Sequence, residues 1–168
     1  MRMTPEIISF CLRAKTDFSI KTGRALEIGS RFVNGTIREV FQADAEDYIG
    51  VDIEPGECVD FVIDGERIGR HFPAYHFDSV ICLECLEHTV HPWKIVKQMR
   101  RLLKPSGHLW VSTPTFGFPL HRFPIDCYRF GEDAYRLWIY KGMSLLRIEH
   151  ITDELEQPII AAVGRRGY

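Results

Sequence analysis

The stretch Arg24-Ala25-Leu26-Glu27-Ile28-Gly29-Ser30-Arg31-Phe32-Val33-Asn34-Gly35-Thr36 decides how the rest of the chain is read. Its apolar run, Ala25 to Ile28, has the character of a buried parallel strand. Gly29 permits a tight turn and a close approach of backbone to a ligand. Thr36 can cap a short helix over Ile37 to Phe41. A strand that passes through a glycine turn into a helix start is a nucleotide-binding arrangement. Downstream, Tyr48-Ile49-Gly50-Val51-Asp52 ends a second strand in an acid. A carboxylate at that point can accept both hydroxyls of a ribose.

Working outward, Ile7, Ile8, Cys11 and Leu12 recur at helical spacing, which predicts a helix over 5–14 that covers a sheet or lids a ligand site. Strands are expected at 24–29, 47–53, 61–64, 77–83 and 108–112, with helices at 36–42 and 91–103. The second helix ends at Lys104-Pro105-Ser106-Gly107. Between strands two and three, Glu54 to Asp60 is too short and too rich in breakers for a crossover helix. One sheet face is therefore expected to be thinly covered there. A short helical piece near 65–71 follows. Residues 114–130 form a long loop rich in aromatics and proline, and such loops are usually functional. A helix over 132–141 and strands near 144–151 and 158–164 complete the chain. Strands alternating with helices predict an α/β parallel sheet. The last two strands are too close for a crossover, so they form an antiparallel edge hairpin.

Bulk properties exclude several classes. With 168 residues, one domain is expected. A net charge of −2 gives no electrostatic footprint for nucleic acid or membrane. No apolar run approaches the ~20 residues of a membrane span. Pro5 and Glu6 do not suit a signal peptide. Five cysteines, an odd number, fit reduced thiols and a cytoplasmic setting. Expected partners are a small-molecule acceptor and at most a second copy of the chain, as monomer or homodimer.

Three segments carry a resemblance to the class I S-adenosylmethionine-dependent methyltransferases of the small type 11 group. Leu26-Glu27-Ile28-Gly29 is similar to their first motif, and Val51-Asp52 to their ribose-binding acid. The run from Phe77-Asp78-Ser79-Val80 through Leu86-Glu87-His88 to Leu103-Lys104-Pro105-Ser106-Gly107 is similar to "F-D-x-V…L-E-H…L-K-P-G-G". The segment His121 to Phe130 resembles one branch of the group, which also carries "G-S-R-x-V-N-G". Here Arg31 stands where the family usually has its second glycine. The resemblance spans residues 24–166. It implies a Rossmann-like three-layer sandwich in a single domain over 1–168, with a mostly parallel seven-stranded sheet. It also implies S-adenosylmethionine as cofactor and methyl transfer to a small-molecule or glycan-type acceptor. A non-catalytic cofactor-binding module or partner subunit is the second reading, motivated by Arg31 and the missing crossover helix. A nicotinamide-dependent oxidoreductase is disfavoured because G-x-G-x-x-G is absent.

By this resemblance the cofactor is held by Glu27, Gly29, Ser30, Arg31, Asp52, Ile53, Asp64, Gly65, Leu83 and Glu84. Asp64 is either at the adenine edge or an ordinary helix cap. Glu27, an acid in an apolar strand, needs donors from the glycine turn or from the cofactor ammonium. Glu87, Asp126, Tyr128 and Arg129 are candidates for the substrate wall, or else an ion pair staples the loop. His88 and His121 are the candidate bases for a poor nucleophile. Glu84, Glu87 and His88 share a face if a helical turn follows strand four, and can then hold Mg²⁺, Mn²⁺ or Zn²⁺. The expectation is nevertheless no metal, and His121 is a further ligand, a base or a backbone-bonded loop histidine. Cys82 and Cys85 fall on opposite faces if the strand continues, which disfavours zinc.

Overall fold

A computed structural model describes residues 4–33, 35–153 and 155–168. Residues 1–3, which open the stretch 1–20 expected as an N-terminal helix or lid, and Asn34 of the glycine turn lie outside them. Seven strands form one sheet in the order β3-β2-β1-β4-β5-β7-β6. They are β1 (Gly23–Ile28), β2 (Ala45–Asp52), β3 (Phe61–Val62), β4 (Phe77–Leu83), β5 (Leu103–Pro114), β6 (Met143–Thr152) and β7 (Pro158–Arg166). Strands β1 to β5 pair in parallel, with Leu26 between Ile49 and Val80. Strand β7 pairs antiparallel with both β5 and β6, placing Ala162 between Val111 and Ile148. The edge hairpin is as expected.

Side-chain alternation along the strands makes two cores, one on each face. On one face, α1 (Pro5–Asp17) and α2 (Arg38–Gln42) cover Ala25, Tyr48, Ile81, Trp110 and Ala161. Helix α1 buries Ile7, Phe10, Cys11 and Ala14. Thr4 starts it by accepting the Ile7 amide at 3.3 Å, with Pro5 in the first turn. This helix covers the sheet and does not border the ligand cavity described below. On the other face, α3 (Pro92–Leu102) lays Ile95, Val96, Met99 and Leu102 over Leu26, Val80 and Leu109. The N-cap of α2 is Ile37, with no side-chain cap bond, and not the expected Thr36, whose hydroxyl, one residue earlier, accepts the Arg38 amide at 3.0 Å.

Three local expectations change. Residues 104–107 do not simply end α3. They form an irregularity in β5, between the pairs Phe77↔Leu103 and Ser79↔His108. Gly107 is needed there, since a Cβ would lie 2.9 Å from the Asp78 carbonyl oxygen. The helix expected over 132–141 is α4 (Glu132–Ala134), continued by a π turn over Tyr135–Ile139. In an α-helix, residues five apart point about 140° from each other. The wider π turn lets Tyr135 and Tyr140 both face the sheet, where their hydroxyls donate to the carbonyls of Ile160 (2.9 Å) and Ala162 (2.8 Å). The two rings stack at 6.2 Å. Strand β3 is only two residues long, and both of its side chains are exposed, as the missing crossover helix implies.

Candidate active site

Strands β1 and β4 are neighbours, while β2-β3 and β5 extend in opposite directions. Ligands in open α/β sheets bind at such a reversal, beyond the carboxyl ends of the strands. A cavity of about 550 Å³ lies there, within the usual range for small-molecule and cofactor sites. Gly29, Asp52 and Leu83, from the ends of β1, β2 and β4, all border it. So do Glu27, Ser30, Arg31, Ile53, Asp64, Gly65 and Glu84, so every expected cofactor residue lines the same cavity.

The β1 turn is built for close approach. Gly29 has φ 80°, and a Cβ there would lie 2.7 Å from Cys85 Sγ. Its amide and that of Ser30 both donate to the Val51 carbonyl, at 2.9 and 3.1 Å. The Asp52 carboxylate is held at both oxygens, by the amides of Arg31 (3.3 Å) and Glu54 (3.0 Å). Asp64 accepts the Glu66 amide at 2.9 Å and starts the 3₁₀ turn Gly65–Arg70. It therefore serves as a helix cap while it borders the cavity. Arg31 pairs with Glu54 and sits over the Phe123 ring, 5.0 Å from its centroid. The donor to Glu27 was not foreseen. It is the Tyr48 hydroxyl, 2.7 Å from Oε2. Burial pushes the Glu27 carboxyl up to about 7, partly offset by that hydrogen bond.

The other end of the cavity is different. Strand β4 stops at Leu83, Glu84 adopts φ 52°, and a 3₁₀ turn over Leu86–His88 follows. The stop brings the Cys82 and Cys85 thiols together, where a continued strand would have separated them. Their mutual hydrogen bond, with burial, pushes the Cys82 thiol up. All five cysteines are free. Glu84 and His88 border the cavity, whereas Glu87, His121, Asp126, Tyr128 and Arg129 do not. Glu87, Asp126, Tyr128 and Arg129, expected at the substrate wall or in an ion pair that staples the loop, therefore lie off this lining. Arg129 grips Asp126 with two hydrogen bonds, 2.5 and 2.7 Å, and also bonds the Phe118 and Pro119 carbonyls. This pair staples the 114–130 loop, and the guanidinium holds the Asp126 carboxyl well below its ordinary range. Tyr128 donates to the Val90 carbonyl at 3.0 Å.

Beneath the His88 wall, Glu87 is fully buried, and neither carboxylate oxygen has a hydrogen-bond partner among the described residues. Burial pushes it up to about 8. Burial, then the neighbouring Glu87, also raises Glu84. Glu87 Oε1 lies 3.5 Å from His88 Nε2 and 3.7 Å from His121 Nε2. Burial depresses both imidazoles. Thus Glu87, His88 and His121 converge, whereas the sequence had suggested Glu84 as the third member. Missed cavity residues include Thr89, Val90 and His91 after the 3₁₀ turn, and Phe123, Pro124 and Ile125 from the loop. The aromatic and proline content of that loop was the available signal.

Among relatives, a ubiquinone biosynthesis O-methyltransferase of Pseudomonas paraeruginosa is 39% identical over 62 residues, covering 36% of this chain and 26% of that protein. The match thus spans about a quarter of that relative's length. In fold, the chain is similar to a 1,6-didemethyltoxoflavin-N1-methyltransferase of Burkholderia thailandensis, solved with its substrate and S-adenosylhomocysteine. Their TM-score is 0.77 at 12% identity, over 98% of this chain and 80% of that one. The N-methyltransferase NodS of Bradyrhizobium japonicum, solved with S-adenosylhomocysteine, gives 0.74 at 15%, over 99% and 90%. The family described as a methyltransferase domain matches residues 3–154, and together with the strand order and the cavity this leads to one assignment: the chain belongs to that family, with the fold of the class I S-adenosylmethionine-dependent methyltransferases.

Proposed function

We propose that this chain transfers a methyl group from S-adenosylmethionine to a small-molecule acceptor. The observation that carries the reading is that Gly29, Asp52 and Leu83, from three separate strands, border one cavity of nucleoside size. Bound there, the cofactor supplies a methyl carbon already activated by its positive sulfur. The chain's own residues position it. Asp52, held at both oxygens by backbone amides, keeps lone pairs for the ribose hydroxyls. Glu27, with Tyr48 on one oxygen, offers its charge to the cofactor ammonium. Gly29 lets the backbone lie against the cofactor. The apolar wall of Ile28, Ile63 and Ile95 excludes water.

The acceptor enters between the 3₁₀ turn at Leu86–His88 and the loop residues Phe123 to Ile125. His88 borders that space, with Glu87 and His121 behind it, and His91 lines the same cavity. No helix among the described residues is long and apolar enough to cross a membrane. Calorimetry with S-adenosylhomocysteine and with NAD tests the cofactor assignment, and release of S-adenosylhomocysteine from S-adenosylmethionine with a panel of hydroxyl and amine acceptors tests the transfer. Binding of the first ligand only, followed by acceptor-dependent release, is expected. Binding of NAD in its place would reject the reading.

A further inference from the structure

The arrangement around Glu87 is not self-sufficient. A buried carboxyl without a donor is costly, and beside two imidazoles it is relieved by a positive centre shared with them, either a proton or a metal ion. Glu87 is completely buried, with both oxygens unpartnered among the described residues. Both imidazoles bring Nε2 toward Oε1, at 3.5 and 3.7 Å. The reason is on their far sides. His88 Nδ1 is 2.6 Å from the Ile125 carbonyl oxygen. A carbonyl only accepts, so Nδ1 carries the proton and the neutral ring leaves a bare lone pair on Nε2. His121 Nδ1 faces Asp126 Oδ2 at 3.3 Å, outside good hydrogen-bond geometry, while Asp126 is fixed by Arg129 and by the His121 amide at 2.7 Å. A carboxylate or carbonyl on the far nitrogen is the usual support of a metal-binding histidine.

We propose that Glu87, His88 and His121 hold a divalent ion of the zinc type. Three tetrahedral ligands about 2.0–2.2 Å from an ion stand about 3.3–3.6 Å apart. The two distances to Glu87 Oε1 match this closely. All three ligand atoms lie within 4.8 Å of one another, so a small inward turn of one imidazole completes the set. Two imidazoles and one carboxylate suit zinc better than magnesium, which takes oxygen ligands in near-ideal octahedral geometry. Three protein ligands leave a fourth position open, as in catalytic rather than structural sites. Since His88 borders the cavity, that position falls on the acceptor side. It selects an acceptor that presents a hydroxyl oxygen. This last point rests on the methyl-transfer reading, whereas the ion site itself does not.

The test uses the full chain without an affinity tag, stripped with chelator and titrated with zinc chloride by calorimetry, with cobalt(II) added in parallel as a visible-absorption reporter. One ion per chain is expected, with cobalt bands of a four-coordinate nitrogen and oxygen site. His121→Asn and Glu87→Gln are expected to abolish uptake. Asp126→Asn, which weakens the support of His121 and the Arg129 staple of its loop together, should weaken it about 10- to 100-fold. S-adenosylhomocysteine binding in the same samples should stay within about twofold and reports an intact fold. The site is overturned if the parent chain takes up no zinc at one-to-one stoichiometry, or if His121→Asn takes it up unchanged. A chain that binds zinc but not S-adenosylhomocysteine keeps the ion site and loses the methyl-transfer reading. The opposite pattern does the reverse.

Discussion

The two ends of the cavity solve the problem of placing acids near apolar walls in opposite ways. At the β1 and β2 ends, Asp52 and Asp64 receive backbone amides and Glu27 receives the Tyr48 hydroxyl. At the β4 end, the carboxylate oxygens of Glu84 and Glu87 have no hydrogen-bond partner among the described residues. A satisfied end is organised before its ligand arrives. An unsatisfied end is organised further when its ligand brings the positive group that the described residues do not supply. The cofactor half of the site is therefore a property of the fold, and the acceptor half a property of the loaded enzyme.

The strongest way to break this comparison is Asp52→Ala. Two hydrogen bonds to a charged acceptor, at about 1.5–3 kcal/mol each, put the expected loss of S-adenosylhomocysteine affinity at roughly 100-fold or more. Melting should hardly change, because Asp52 is at the surface of the cavity. Unchanged affinity by calorimetry would remove Asp52 from the ribose role. Next, Arg129→Ala leaves Asp126, whose side chain is 1% exposed, without its guanidinium. Breaking such a pair from one side costs about 3 kcal/mol. The loss should appear in denaturant unfolding, and proteolysis should cut first within 114–130, with cofactor affinity far less affected.

The smallest effects concern pH. Glu27, at about 7, and Glu87, at about 8, both lie above the ordinary 4.5. In the chain without cofactor or metal, their contribution to stability is complete below about 4.5 and is lost as pH rises through 7 and 8. The melting temperature should fall over that window, and Glu87→Gln should flatten the upper part. S-adenosylhomocysteine affinity should move the other way, rising up to about tenfold per pH unit until Glu27 is ionised near 7. Glu27→Gln should lower affinity about tenfold at neutral pH and abolish that slope. A retained slope would shift the role to another acid.

The satisfied end was the more legible from sequence, for a physical reason. Strand ends are marked by short apolar runs, and Gly29 and Asp52 sit at fixed offsets from them. The donor to Glu27 lay hidden because Tyr48 enters from a neighbouring strand, through the register that pairs Ala25 with Tyr48. The unsatisfied end depends on where the chain departs from regular geometry. The positive φ at Glu84 turned Cys82 and Cys85 toward each other and moved Glu84 out of the Glu87–His88 group. His121 joined that group from a loop whose path no periodicity encodes. The π turn at Tyr135–Ile139 is a similar case. Its cause is two tyrosine hydroxyls reaching carbonyls of β7, a tertiary demand that overrides local helical preference.

Arg31 touches both ends at once, paired with Glu54 beside the glycine turn and lying over Phe123 in the loop. Anyone wishing to graft a foreign 114–130 segment onto this scaffold, to redirect it to a new acceptor, inherits that shared side chain. A transplanted loop needs a flat ring at position 123, or Arg31 must be replaced along with it.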